Sequence, residues 1–257
     1  MDSALWLMLQ KPTWVFAALF LRVLPIAFLL PPNVAKVVPR KIRIGLVLIV
    51  ALLLLPPALR NAELPNNGGE LIAALACELI FGALLGCVCM LTLLSMQLAG
   101  QLIGQLAGIN GVDSAEARDE LPVVAQLFGW MALILILSSG AHRELVKCVL
   151  DSFDALPVGA CVFQSGWLHD FQVAVSQSLA LGLRLAAPVG LALVMSNILT
   201  GLIARSLPQL NTLSVGFSTN LIVMLFAIFM LAGGIGWTYQ NELVQWIDQY
   251  RQMTSRS

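Results

Sequence analysis

Charge is what this chain has least of. Only 11% of its 257 residues are Asp, Glu, Lys or Arg, and 59% are hydrophobic. An ordinary soluble domain carries about a quarter charged residues. A chain so composed cannot cover itself with a polar surface, so it reads as an integral membrane protein or a subunit buried in a hydrophobic assembly. The 14 basic and 14 acidic residues cancel, which leaves no basic field for nucleic acid. Histidine is nearly absent: His142 and His169 are the only two, and both lie outside the cores of apolar segments. No HExxH, GxSxG or paired-aspartate arrangement accompanies them, so no catalytic residue, cofactor or metal is expected. The five cysteines show no CxxC pair and no zinc spacing. Three of them (Cys77, Cys87, Cys89) share one apolar run, where cysteine acts as a small hydrophobe, and the odd number argues against a disulfide framework. No basic stretch precedes the first apolar segment, so a cleaved signal peptide is not expected.

What remains is an all-α pattern of about six apolar segments, as in membrane-type helical hairpins. Segment one spans 13–30 and contains Arg22 and Pro25. A connector with Lys36, Arg40, Lys41 and Arg43 follows, the densest basic cluster in the chain. By the positive-inside rule this connector is cytoplasmic and the N-terminus lies outside. Segment two, 44–55, is short and ends at Pro56-Pro57. The run 71–109 is overlong: as one straight helix its 39 residues would reach about 58 Å, nearly twice the hydrocarbon core. It is expected to tilt, bend or break. Segment four is 121–139, and the charged piece after it reads as an interfacial or cytosol-like hairpin. Segment five, 171–204, is again overlong and interrupted by Arg184 and Pro188. Segment six, 210–236, ends at a GGIGW break, and 237–257 reads as an amphipathic tail. Trp6, Trp14, Trp167 and Trp237 sit near segment ends, as an interfacial belt would place them.

The stretch from Ser95 to Pro122 is the most informative. Read as a helix through Gly108, it carries Gly100, Gly104 and Gly108 on one stripe and Gln97, Gln101 and Gln105 on a second about 100° away. Glycines permit close backbone approach and amides can hydrogen-bond across it. The pattern suits packing within the chain first and against another subunit second. Upstream, Glu78, Gly82 and Gly86 share one face at i, i+4, i+8. Arg22, Glu78 and Arg184 lie inside apolar segments, where a charge is costly unless paired or in a wet cavity. Ion pairs fixing helix register are the favoured reading, and an ion path or substrate site the other. Which arginine pairs with Glu78 is open.

The stretch LRLAAPVGLALVMSNILTGLIARSLPQLNTLSVGF (183–217) resembles the signature of the FliR family, the R-type export-gate subunit of bacterial flagella and its injectisome counterpart. The resemblance is carried by Arg205, Pro208, Gln209, Asn211, Gly216 and Phe217. It continues in CELIFGALLGCV (Glu78, Gly82, Gly86), in QLAGQLIGQLAG and in the SF…LPVG piece (Ser152, Phe153, Pro157, Gly159), in order along nearly the whole chain. Leu210 and Thr212-Leu213 depart from the family's usual Met and large apolar pair, and the loop after Gly108 is unusually acidic.

The resemblance implies a non-enzymatic subunit of the bacterial inner membrane, in the flagellar basal body. One R-type chain would join P-type and Q-type subunits in a spiral hetero-oligomeric assembly around a conduit for unfolded export substrates, with B-type and A-type export components and membrane lipid as further partners. It also implies a plug in the conduit, mapping to Ile109, Asn110, Gly111, Asp113, Glu116 and Asp119 within 109–120. The GQLIGQLAG helix looks flagellar, with an injectisome subunit as the alternative. A small secondary transporter using Arg22, Glu78 and Arg184 competes, and a membrane enzyme would need a nucleophile–base pair that the sequence does not show.

Overall fold

The computed structural model describes residues 2–29, 38–61, 67–109, 121–155, 166–206 and 212–256. Among these residues there are seven helices: α1 (Asp2–Phe28), α2 (Arg40–Asn61), α3 (Gly68–Leu106), α4 (Val123–Ser138), α5 (Ala141–Ala155), α6 (Gly166–Ser206) and α7 (Thr212–Arg256). Among the described residues four stretches are long and apolar enough to cross a membrane: Lys11–Phe28, Gly68–Leu106, Gly166–Ser206 and Gly216–Trp246. The all-α membrane-type class is therefore borne out.

Several boundaries differ from expectation. The two overlong segments are not broken, because α3 is one helix of 39 residues and α6 one of 41. Pro188 lies inside α6. It removes one backbone donor, but Leu185, Val189 and Leu193 are buried around it, so tertiary packing holds both flanks in register. Likewise Gly233, Gly234 and Gly236 do not end segment six: α7 runs 45 residues through them. The expected amphipathic tail from 237 is the second half of that helix, and its Tyr239, Leu243 and Trp246 are buried. Gly108 is not on the α3 stripe. The helix stops at Leu106, and Gly108 takes φ +76°, a left-handed conformation that glycine adopts without a Cβ penalty. The charged piece after segment four forms the single 15-residue helix α5 over its described part.

The chain divides into two compact units by its internal contacts. The first comprises residues 1–91, 142–175 and 246–257. One core of this unit packs Val15, Ala18, Leu19 and Val23 of α1 against Val47, Ala51 and Leu54 of α2 and Ala74 of α3. The spacing of three and four residues along α1 and α2 is that of a helix burying one stripe. The outer stripe of α2 (Ile42, Leu46, Ile49, Leu53) is equally apolar and stays exposed. Trp14 and Trp167 belong to packed clusters of this unit. Cys77 is disulfide-bonded, against the expectation of a plain apolar residue, whereas Cys87 is a free thiol.

The second unit comprises residues 92–141 and 176–245. Here α4 buries Val124, Ala125, Phe128, Ala132 and Ile136, one helical stripe. The end of α3 contributes Met96, Ala99, Ile103 and Ala107, all buried. Phe226, Phe229, Met230 and Trp237 form an exposed apolar face on α7, and an exposed patch of this kind marks contact with lipid or with another chain.

Candidate functional site

The polar centre of the first unit is Arg22. Its side chain and that of Glu78 are both 0% exposed, and Arg22 Nε donates to Glu78 Oε2 at 2.5 Å. Arg22 Nη1 also donates to the main-chain oxygen of Ser152 at 3.2 Å. The guanidinium carbon lies 5.2 Å from the Phe81 ring centroid, and that ring packs against Trp167 at 5.0 Å. Helical spacing explains the convergence, because residues 78, 81 and 82 share one face of α3. One guanidinium thus joins α1 to α3 and α5, and the Phe81–Trp167 contact adds the first turn of α6. The cost of burying two charges, several kcal/mol per ion, is offset here by the ion pair, a backbone acceptor and a ring face. The arrangement sets register. It leaves neither charge facing solvent, as a transport site would require.

The glycines beside Glu78 make that geometry possible. A Cβ on Gly82 would overlap the main-chain carbonyl of Arg22, and one on Gly86 would lie 3.0 Å from Ile26 Cα. Two glycines four apart on α3 therefore meet two residues four apart on α1, a close crossing that only small residues allow. Further along, a Cβ on Gly100 would lie 2.8 Å from Ala125 Cα of α4, and one on Gly182 of α6 would lie 2.9 Å from the Ser95 carbonyl. Gly104 is buried. The three glutamines of the second stripe do not share one environment. Gln97 is 2% exposed, with its Oε1 buried and accepting no hydrogen bond, Gln101 is half-buried, and Gln105 is exposed.

Arg184 is separate from this centre. It belongs to the second unit, where its Nη1 donates to Glu242 Oε1 at 2.8 Å with the arginine side chain mostly exposed. Tyr239, fully buried, donates its hydroxyl to the Thr92 carbonyl at 3.0 Å. Ser196, Asn197 and Asn220 form a further hydrogen-bonded group. A half-open cavity of about 350 Å³ lies beside Ser196, lined by Met195, Leu199, Thr200, Gly216, Thr219 and Val223 among others. Sequence reasoning named Ser152 only as part of a family motif, without its contact to Arg22, and missed Tyr239, Glu242 and this amide group. The legible signal was polar residues inside apolar runs, the MSN at 195–197 and the STN at 218–220.

Arg205 is exposed in the last turn of α6, where a cation meets the negative end of the helix dipole. Pro208, Gln209 and Asn211 lie outside the described residues, as do 110–120 of the expected plug, Pro157 and Gly159; of the plug only Ile109 is described. Among the described residues no group of three His, Cys, Asp or Glu side chains could hold a metal ion.

Described residues that are nearly all helical, with membrane-length apolar helices, an internal ion pair and apolar outer faces, define a membrane-embedded helical protein. Residues 13–246 match the model of the family described as bacterial export proteins, family 1, and the chain belongs to that family. It is 26% identical over 243 residues to the flagellar biosynthetic protein FliR of Caulobacter vibrioides, covering 93% of this chain and 94% of that one. The Escherichia coli protein of the same name is 27% identical over 210 residues, 79% and 78% of the two chains. The surface presentation of antigens protein SpaR of Salmonella typhimurium is 28% identical over 211 residues, 78% and 76% of the two chains.

Proposed function

We propose that this chain is a non-enzymatic subunit of the flagellar protein export gate, in the inner membrane at the flagellar basal body. It would assemble with P-type and Q-type subunits, and with the B-type and A-type components, around a conduit for unfolded export substrates. The observation that carries the reading is the family match over residues 13–246. A relative named as flagellar that aligns over 93% of this chain favours the flagellar system. The exposed apolar stripes on α2 and α7 are surfaces that such an assembly would cover. The internal use of Arg22 and Glu78 weakens the transporter alternative, since a charge locked in a buried pair is not available to a solute.

In this reading the segment 109–120, with Asn110, Gly111, Asp113, Glu116 and Asp119, occludes the conduit. Gly82, Gly86, Gly100 and Gly104 serve assembly indirectly, by fixing the helix spacing on which the outer faces depend. Shortening 110–120 is expected to make cells carrying the assembled gate permeable to small ions. Permeability equal to wild type in cells whose gate contains the shortened chain would count against a plug role.

A further inference from the structure

In the second unit three helices meet at a one-way chain of hydrogen bonds. Ser196 on α6 donates its hydroxyl to Asn220 Oδ1 on α7 at 2.9 Å. Asn220 Nδ2 donates to Asn197 Oδ1 at 2.6 Å, and Asn197 Nδ2 donates to the main-chain oxygen of Leu106 at 3.2 Å. Each amide accepts at oxygen and donates at nitrogen, so the bonds polarise one another in the same direction.

The terminus of this chain is what gives it a role. Leu106 is the last residue of α3, and the last four carbonyls of a helix have no partner within it. The backbone closes what it can: Ala107 N donates to Ile103 O at 2.9 Å and Gly108 N to Gln105 O at 3.1 Å. The Leu106 carbonyl is instead satisfied by a side chain 91 residues away in sequence. The α6 backbone is close at the same place, since a Cβ on Gly190 would lie 3.1 Å from Leu106 Cδ1. Two residues on, Gly108 turns the backbone out of the helix at φ +76°. Ser196 and Asn220 are buried, so their polar atoms have few substitutes if the relay is cut.

We propose that Asn197 is a positioning residue for export. The Ser196–Asn220–Asn197 relay locks the C-terminal end of α3 to the α6/α7 hairpin and fixes the direction in which the chain leaves α3. The functional consequence rests on the export-gate reading, whereas the mechanical lock does not.

The test uses the full chain in its assembled complex. Asn197→Leu removes both amide bonds, and Asn197→Asp keeps the bond from Asn220 while losing the donor to Leu106. Both should enter the complex at wild-type copy number, with exported substrate reduced about fivefold by Asn197→Asp, the equivalent of one hydrogen bond near 1 kcal/mol, and further by Asn197→Leu. Ser196→Ala removes only the far end and should lower export by less than about twofold. Full export by Asn197→Asp in an intact complex would overturn the proposal. Should the Asn197 variants not accumulate, amide hydrogen exchange at 107–109 is compared between wild type and Ser196→Ala. Faster exchange in the variant supports the relay, and unchanged exchange overturns it. A wild-type chain that neither joins the partner subunits nor supports export would refute the gate reading instead, and leave the exchange comparison to decide the lock.

Discussion

The Arg22–Glu78 pair makes removal of either partner more harmful than removal of both. A single substitution leaves a fully buried charge uncompensated, which costs about 3–5 kcal/mol, whereas replacing a buried pair with apolar residues of similar volume is often close to neutral. Glu78→Gln and Arg22→Met are therefore expected to lower the denaturation midpoint of the purified protein sharply. Arg22→Met combined with Glu78→Leu should recover most of that loss. Equal losses in the singles and the double would contradict a paired role. At this scale the sequence revealed which residues were anomalous, because a charge inside an apolar run is visible without coordinates. It did not reveal the partner. Arg22 and Glu78 are 56 residues apart and Ser152 lies 130 residues from Arg22, so their meeting depends on how the helices pack. Ser152 contributes its carbonyl, a group that every residue carries.

Between elements, spacing is controlled by which glycines touch another backbone. Alanine at Gly82 would overlap the Arg22 carbonyl, at Gly86 it would meet Ile26 Cα at 3.0 Å, and at Gly236 it would lie 3.6 Å from Leu135 Cδ2, an ordinary contact. The expected order of damage, read as the amount of folded protein recovered from membranes, is Gly82→Ala above Gly86→Ala above Gly236→Ala. The last should match wild type or exceed it, since glycine inside a helix is worse than alanine by about 1 kcal/mol. A severe defect at Gly236 with none at Gly82 would refute the close-crossing account. The same contrast explains where helix ends were misread. GGIGW looks like a terminator, yet Tyr239, Leu243 and Trp246 beyond it are buried at helical spacing, and that burial outweighs the weak local preference. Gly108 has no such apolar continuation, since polar and acidic residues follow it, and there the helix stops. Patterns of one face were legible in the glycines at 82 and 86. The glutamine stripe was not a unit, because Gln97 points into the core while Gln105 lies outside it.

For the whole molecule, the low charge and the long apolar helices were visible from composition, and the family from motifs spread along the chain. What composition could not give is which apolar faces stay uncovered. Those faces, Ile42 to Leu53 on α2 and Phe226 to Trp237 on α7, are where the account places neighbouring subunits. Native mass analysis after co-expression with P-type and Q-type subunits tests whether this chain works as one part of a heteromeric gate. A defined complex holding a single copy of this chain is predicted. A stable monomer or homodimer that leaves those partners unbound would contradict the account.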